Sequence, residues 1–169
     1  MSEYVPDSNP VTALKVPPHS IEAEQLVLGG LMLDDRAWFD LIEILAASDF
    51  YRTQHQIIFE AMNDLASDDN LLDAVTVAER LTSKGLLDKA GGISYLAELA
   101  ESTLGASNVV AYVKIVRERS VMRQLIGAAN QIAESAFTPE GRDTDTLLEL
   151  AEQAVFQIAE NRLKDSGPE

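Results

Sequence analysis

Apolar residues recur at helical spacing through most of this chain, and the longest such run lies between Asn108 and Arg162. Val109, Tyr112, Val113, Val116, Met122, Leu125, Ile126, Ala129, Ile132 and Ala133 follow the i, i+3, i+4 repeat with no proline among them. They predict one helix from Val109 to Phe137, with Ser107 and Asn108 as N-cap residues. Thr138-Pro139-Glu140-Gly141-Arg142-Asp143 then breaks the pattern with proline and glycine together. From Thr144 to Arg162 the repeat resumes with Leu147, Leu148, Ala151, Ala154, Val155, Ile158 and Ala159. At 1.5 Å per residue the first helix is about 40 Å long, and a short loop turns the second back along it as an antiparallel hairpin.

The second arm carries its apolar residues on two neighbouring lines, 147/151/154/158 and 148/155/159. That band is wider than one partner helix covers. Either the rest of the chain or a second copy of the hairpin must cover the remainder. Leu147, Leu148, Ala151, Val155, Ile158 and Ala159, with Leu125 and Ile132 on the first arm, are the candidates for pairing between copies. Sequence does not divide them between holding the two arms together and joining two molecules.

Upstream, the pattern predicts about six short helices. Pro6, Pro10, Pro17 and Pro18 prevent a continuous helix in residues 1–18, which read as a flexible arm. Ser20 is an N-cap, and Glu22 and Glu24 stand in the first turn where the helix dipole favours carboxylates. Ile21, Val27, Leu28, Leu31 and Met32 form the buried side, and Gly29-Gly30 in mid-helix implies close approach by another backbone. A helix from Arg36 to Leu45 follows, then one from Thr53 to Ala66. Asp73 caps a short helix from Val75 to Ser83 that Gly85 stops, and Gly91-Gly92 opens another with Ile93, Tyr95, Leu96 and Leu99. No segment alternates as a strand does. The expected architecture is all-α: an arm over 1–18, a head over 19–106, a hairpin over 107–163, and the start of a linker over 164–169.

Composition narrows the chemistry. The 169 residues contain 46% hydrophobic side chains, enough for a real core. With no cysteine there is no disulfide, thiolate metal site or catalytic thiol, which suits a reducing compartment. No apolar run approaches a membrane span and no signal peptide opens the chain, so the cytoplasm is the expected location. The net charge of −15, from 13 Lys+Arg against 28 Asp+Glu, repels phosphate backbones and predicts weak or no direct nucleic-acid binding. Within the first arm, however, Lys114, Arg117, Arg119 and Arg123 outnumber Glu118 and Glu134. Internal balance against neighbouring carboxylates explains this best, with an acidic partner surface as the alternative.

No Walker loop, H-E-x-x-H or G-x-S-x-G motif occurs. His55 has no second histidine or cysteine near it, so it reads as a packing or capping residue, and His19 as an exposed neighbour of a cap. Ser67-Asp68-Asp69-Asn70 lacks the glycine and closing glutamate of a calcium loop. Catalysis by this chain is not expected, and neither is a catalytic residue, metal or cofactor.

Several ordered segments resemble a known family. Pro17-Pro18-His19-Ser20-Ile21-Glu22-Ala23-Glu24-Gln25 with Val27-Leu28-Gly29-Gly30 is similar to the opening of the N-terminal domain of bacterial replicative DNA helicases, the DnaB family. Asp49-Phe50-Tyr51-Arg52 with His55 and Ile58-Phe59 follows, then Val75-Thr76-Val77, Gly91-Gly92 with Tyr95-Leu96, and Asn108 with Tyr112. Ile115-Val116-Arg117-Glu118-Arg119 and Ala151-Glu152 with Phe156-Gln157-Ile158-Ala159-Glu160 complete the series. The chain departs from the family pattern at Leu104-Gly105-Ala106-Ser107-Asn108 and at Leu72, where family members commonly have proline. Both departures lie in connections.

The resemblance implies a helical head and hairpin that form the collar of a hexameric, ATP-dependent helicase as a trimer of dimers. It also implies that primase docks on the collar and that a helicase loader engages the same enzyme, with ATP and magnesium used by a motor domain this sequence lacks. Glu22 and Tyr95 on the head are the candidates for the primase-facing surface. A stand-alone, motorless adaptor that binds the helicase or primase is the alternative from another class, and an enzyme with an unrecognised acidic site is a third.

Overall fold

The computed structural model describes residues 15–102 and 109–166, the side chains of 102 and 163–166 excepted. Among them are seven α-helices and two 3-10 turns, with no strand. The proposed caps Ser107 and Asn108, the Leu104–Asn108 departure and most of the N-terminal arm lie outside the described residues.

Helix α1 (Ile21–Leu33) is the centre of the head. Ser20 starts it as expected, its Oγ accepting the Ala23 N–H at 3.2 Å. Ala23, Glu24 and Val27 to Met32 are all buried, the glycine pair included. A helix buried on so many sides must be enclosed rather than laid on a surface. Helices α3, α5 and α6 pack around it.

The expected helix from Arg36 to Leu45 is not formed as one piece. A 3-10 turn (Asp35–Ala37) leads into α2, which holds only Trp38–Leu41, and a second 3-10 turn spans Ala47–Asp49. Trp38, Leu41 and Leu45 are buried, as the periodicity required. Two aspartates shorten the helix by capturing local backbone N–H groups. Asp34 Oδ1 accepts from the Arg36 N–H, and Asp49 Oδ2 accepts from the Ala46 N–H at 2.8 Å. The Asp34 carboxyl, bonded by the Arg36 guanidinium, is held down at about 2.

Helix α3 (Thr53–Ser67) brings Ile58, Phe59, Met62 and Leu65 into the core, where Phe59 lies between Trp38 and Phe50 with ring centroids 5.0 and 5.1 Å away. Helix α4 (Ala74–Ser83) has Asp73 as N-cap, with Leu72 and Val77 buried at the positions of a hydrophobic staple. Gly85 ends it at φ +71°. Helix α5 (Gly92–Ser102) starts after Gly91, whose φ of +107° suits glycine. A Cβ at Gly91 would also stand 2.9 Å from the Tyr95 side chain.

Helix α6 (Val109–Phe137) and helix α7 (Thr144–Ser166) form the hairpin. Glu140 and Gly141 take positive φ in the loop, and Asp143 starts α7 by accepting the Thr146 N–H at 2.9 Å. The Thr146 hydroxyl, with that N–H, holds the Asp143 carboxyl below its ordinary value. The first turns of α6 belong to the head core through Val109, Val113 and Val116. Beyond Val116 the helix leaves the core, and α7 packs on α6.

Candidate interaction surfaces

Burial sorts the two apolar lines of the second arm. Leu147, Ala151 and Ala154 are half-buried and Ile158 is 8% exposed, so this line faces α6. Across from it, α6 offers Val121, Gln124, Ile132 and Ser135, half-buried, around the buried Ala128. These residues form the seam between the arms. Of the proposed pairing residues, Ile132, Leu147, Ala151 and Ile158 therefore lie in the seam.

The other line remains open. Leu148 is 57% exposed and Val155 47%, and Ala159 is exposed beside them. On α6, Met122, Leu125, Ile126 and Ala129 are exposed as well. In each arm the open line stands one residue after the seam: 148, 155 and 159 follow 147, 154 and 158, as 122, 125 and 129 follow 121, 124 and 128. One residue turns the helix by about 100°. Antiparallel helices turn in opposite senses when viewed from one end, so equal displacements from the seam bring both lines to the same side. Leu125, Leu148, Val155 and Ala159 thus share one apolar face of the hairpin, extended by Met122, Ile126 and Ala129. Among the described residues nothing covers that face.

On the head, Glu22 is exposed on α1 and Tyr95 is half-buried on α5. Gln25, one turn on from Glu22, donates from Nε2 to the Tyr95 hydroxyl at 3.2 Å, which places both candidates along the α1–α5 junction. The Tyr95 side chain lies close against Gly91, and its ring is near-parallel to the His55 ring with centroids 6.0 Å apart. Its hydroxyl also meets His55 Nε2 at 2.6 Å, while His55 Nδ1 stands 2.7 Å from Glu24 Oε1. Glu24 further accepts the Tyr51 N–H at 2.6 Å and the Arg52 N–H at 3.4 Å. A carboxylate can only accept, so Nδ1–H is the donor, and in the neutral imidazole Nε2 then accepts from the tyrosine. His55 is a packing histidine of a particular kind: it relays between α1, α3 and α5. Glu24 stands in the first turn of α1 as expected, and its burial also makes it the acceptor that organises the start of α3.

A second polar cluster joins head to hairpin. Asp49 Oδ1 accepts from Arg117 Nη1 and Ser120 Oγ, each at 2.7 Å. Arg123 donates to the carbonyls of Asp49 and Pro18, both at 2.7 Å, and its guanidinium lies 5.5 Å from the centre of the Tyr51 ring. His19 stacks on the other partner of that contact, Tyr51, at 4.1 Å. Two of the four cations of the first arm are thereby turned inward, Arg117 to the Asp49 carboxylate and Arg123 to backbone carbonyls. Sequence reasoning missed Asp49 and Glu24 as organising acids, and their only sequence signal was membership of the Asp49–Arg52 and Pro17–Gln25 segments that resemble the family.

Residues 16–118 match the family model described as the DnaB-like helicase N terminal domain. The chain belongs to this family. It is 45% identical over 157 residues to the replicative DNA helicase DnaB of Haemophilus influenzae, covering 92% of this chain and 34% of that protein. It is 43% identical over 148 residues to the DnaB of Geobacillus stearothermophilus, covering 88% and 32%. The chain therefore spans about a third of the length of these curated relatives. Among solved structures, the N-terminal domain of DnaB from Mycobacterium tuberculosis superposes with a TM-score of 0.80 at 36% identity, over 84% of this chain and 99% of that one. The N-terminal domain of DnaB from Helicobacter pylori, described with its interactions with primase, gives a TM-score of 0.57 at 26% identity, over 68% and 89%. The all-α head and hairpin are the DnaB N-terminal fold. No helix among the described residues is long and apolar enough to cross a membrane.

Proposed function

We propose that this domain is the non-catalytic collar element of a hexameric, ATP-dependent replicative DNA helicase, acting in the cytoplasm. It pairs subunits through the apolar face of the hairpin and recruits primase through the head. The observation that carries the reading is the apolar face formed by Leu125, Leu148, Val155 and Ala159, open among the described residues, in a chain of this family. Exposed apolar surface of that kind is retained where a partner covers it. We expect a trimer of dimers in the whole enzyme from the family resemblance, and the H. pylori relative, described with its interactions with primase, supports the recruitment reading. ATP and magnesium belong to a motor domain, and the helicase loader is a partner of the whole enzyme. The net charge of −15 fits a collar that does not grip DNA.

Sedimentation across a concentration series tests the pairing. The parent chain should self-associate, and Leu148→Asp or Val155→Asp should shift it towards monomer while far-ultraviolet circular dichroism stays helical. Both variants sedimenting like the parent would falsify the choice of face. Titration with the C-terminal domain of primase tests the second half. Glu22→Lys and Tyr95→Ala should weaken that binding without altering self-association, and unchanged binding in both would remove the α1–α5 junction from the primase surface.

A further inference from the structure

His55 is fully buried and both of its ring nitrogens are engaged, Nδ1 with Glu24 and Nε2 with the Tyr95 hydroxyl. The Tyr95 oxygen in turn accepts from Gln25 Nε2 at 3.2 Å. Gln25 is half-buried, so this chain of bonds starts in the core and ends at the surface of the α1–α5 junction. The amide is turned as a neutral imidazole requires: the hydroxyl spends its proton on His55 and accepts from the glutamine. No buried side-chain nitrogen or oxygen among the described residues lacks a hydrogen-bond partner. A proton arriving at Nε2 therefore meets no spare acceptor and must reverse a bond already made.

We infer that the charge of His55 sets which atom of the Gln25 amide faces outward. An imidazolium donates from both nitrogens, so Nε2–H must donate to the Tyr95 oxygen. The hydroxyl then turns its own proton to Gln25, and the amide meets it with Oε1 in place of Nε2. A half-turn of the amide exchanges the two atoms with almost no change of shape. The junction thus presents an outward acceptor when His55 is neutral and an outward donor when it is charged. Glu24 keeps its bond to Nδ1 in both states, and no backbone has to move. Other charges near α3 are occupied elsewhere. Asp49, in the 3-10 turn before it, is bound by Arg117, and Arg80 and Lys84 of α4 meet Asp64, nine residues or about 14 Å beyond His55. Phe50 presents only its ring to His55. This coupling holds whether or not primase docks on the junction.

Nuclear magnetic resonance of the parent chain tests it. The ring nitrogen-15 shifts of His55 report its charge between about pH 8 and about pH 5, the range in which histidine side chains change charge. The Overhauser contact between the Gln25 side-chain N–H protons and the Tyr95 ring should be strong while His55 is neutral. It should fall severalfold in step with protonation, as Nε2 turns away from the tyrosine. In Tyr95→Phe the ring stays but the hydroxyl is gone, so the contact should no longer follow the charge. A contact that stays constant through the His55 titration overturns the inference, and so does one that follows it equally in Tyr95→Phe. A His55 that keeps one charge throughout, or gains its proton only on unfolding, overturns it as well. If Tyr95→Phe does not fold, the titration of the parent decides alone.

Discussion

Glu22 and Glu24 stand two residues apart in the first turn of α1, and helix-dipole reasoning treats them alike. The fold separates them completely. Glu22 faces water, while Glu24 is buried and collects the Tyr51 and Arg52 N–H groups together with His55. Replacing a buried acceptor leaves its donors facing a poorer partner, which costs about 1–3 kcal/mol. Glu24→Gln should therefore lower the free energy of unfolding by about 1–3 kcal/mol. Glu22→Gln should change it by no more than about 0.5 kcal/mol, as surface substitutions do. Urea titrations of the two variants at neutral pH make the comparison. Equal effects would mean that the Glu24–His55–Tyr95 relay adds nothing to the stability of the head. Nothing local in the sequence marks this difference, because the partners of Glu24 lie 27 to 31 residues away.

At the scale of the element, periodicity located the arms well. Helix α6 runs from Val109 to Phe137 as expected, and α7 begins at Thr144 after the Pro139–Gly141 break. Long apolar repeats bounded by proline and glycine leave few alternatives. The Arg36–Leu45 segment went differently, because Asp34 and Asp49 spend their carboxylates on local N–H groups and no apolar pattern registers that competition. Nor could sequence say which line of α7 meets α6, since both lines are apolar and adjacent. Burial decides it, and the decision is testable. Ile158→Ala empties a buried position in the seam and should cost about 2–4 kcal/mol, with partial collapse setting the value. Val155→Asp, on the open face, should leave the stability of the monomer nearly unchanged. Thermal unfolding of the two variants at concentrations where the parent is monomeric reads the difference, and a costlier Val155→Asp would reverse the assignment of the two lines.

For the whole molecule, two long-range effects oppose each other when copies meet. Each chain carries a net charge of −15, so a pair must bring two strongly acidic bodies together. The face proposed to join them is aliphatic, formed by Leu125, Leu148, Val155 and Ala159 with Met122 and Ile126. Aliphatic burial is driven by water and changes little with simple salt, whereas repulsion between exposed charges is screened over about 10 Å at 0.1 M ionic strength. Raising sodium chloride from about 0.05 M to about 0.5 M should therefore strengthen self-association severalfold, by removing the repulsion and leaving the attraction. A pairing surface built from ion pairs would respond in the opposite sense, since the same screening weakens it. The salt dependence of the dimerisation constant, read by sedimentation equilibrium, thus separates an apolar interface from a polar one without any mutation. Dissociation on adding salt would leave the open face of the hairpin without its proposed role, even though the chain keeps the DnaB N-terminal fold.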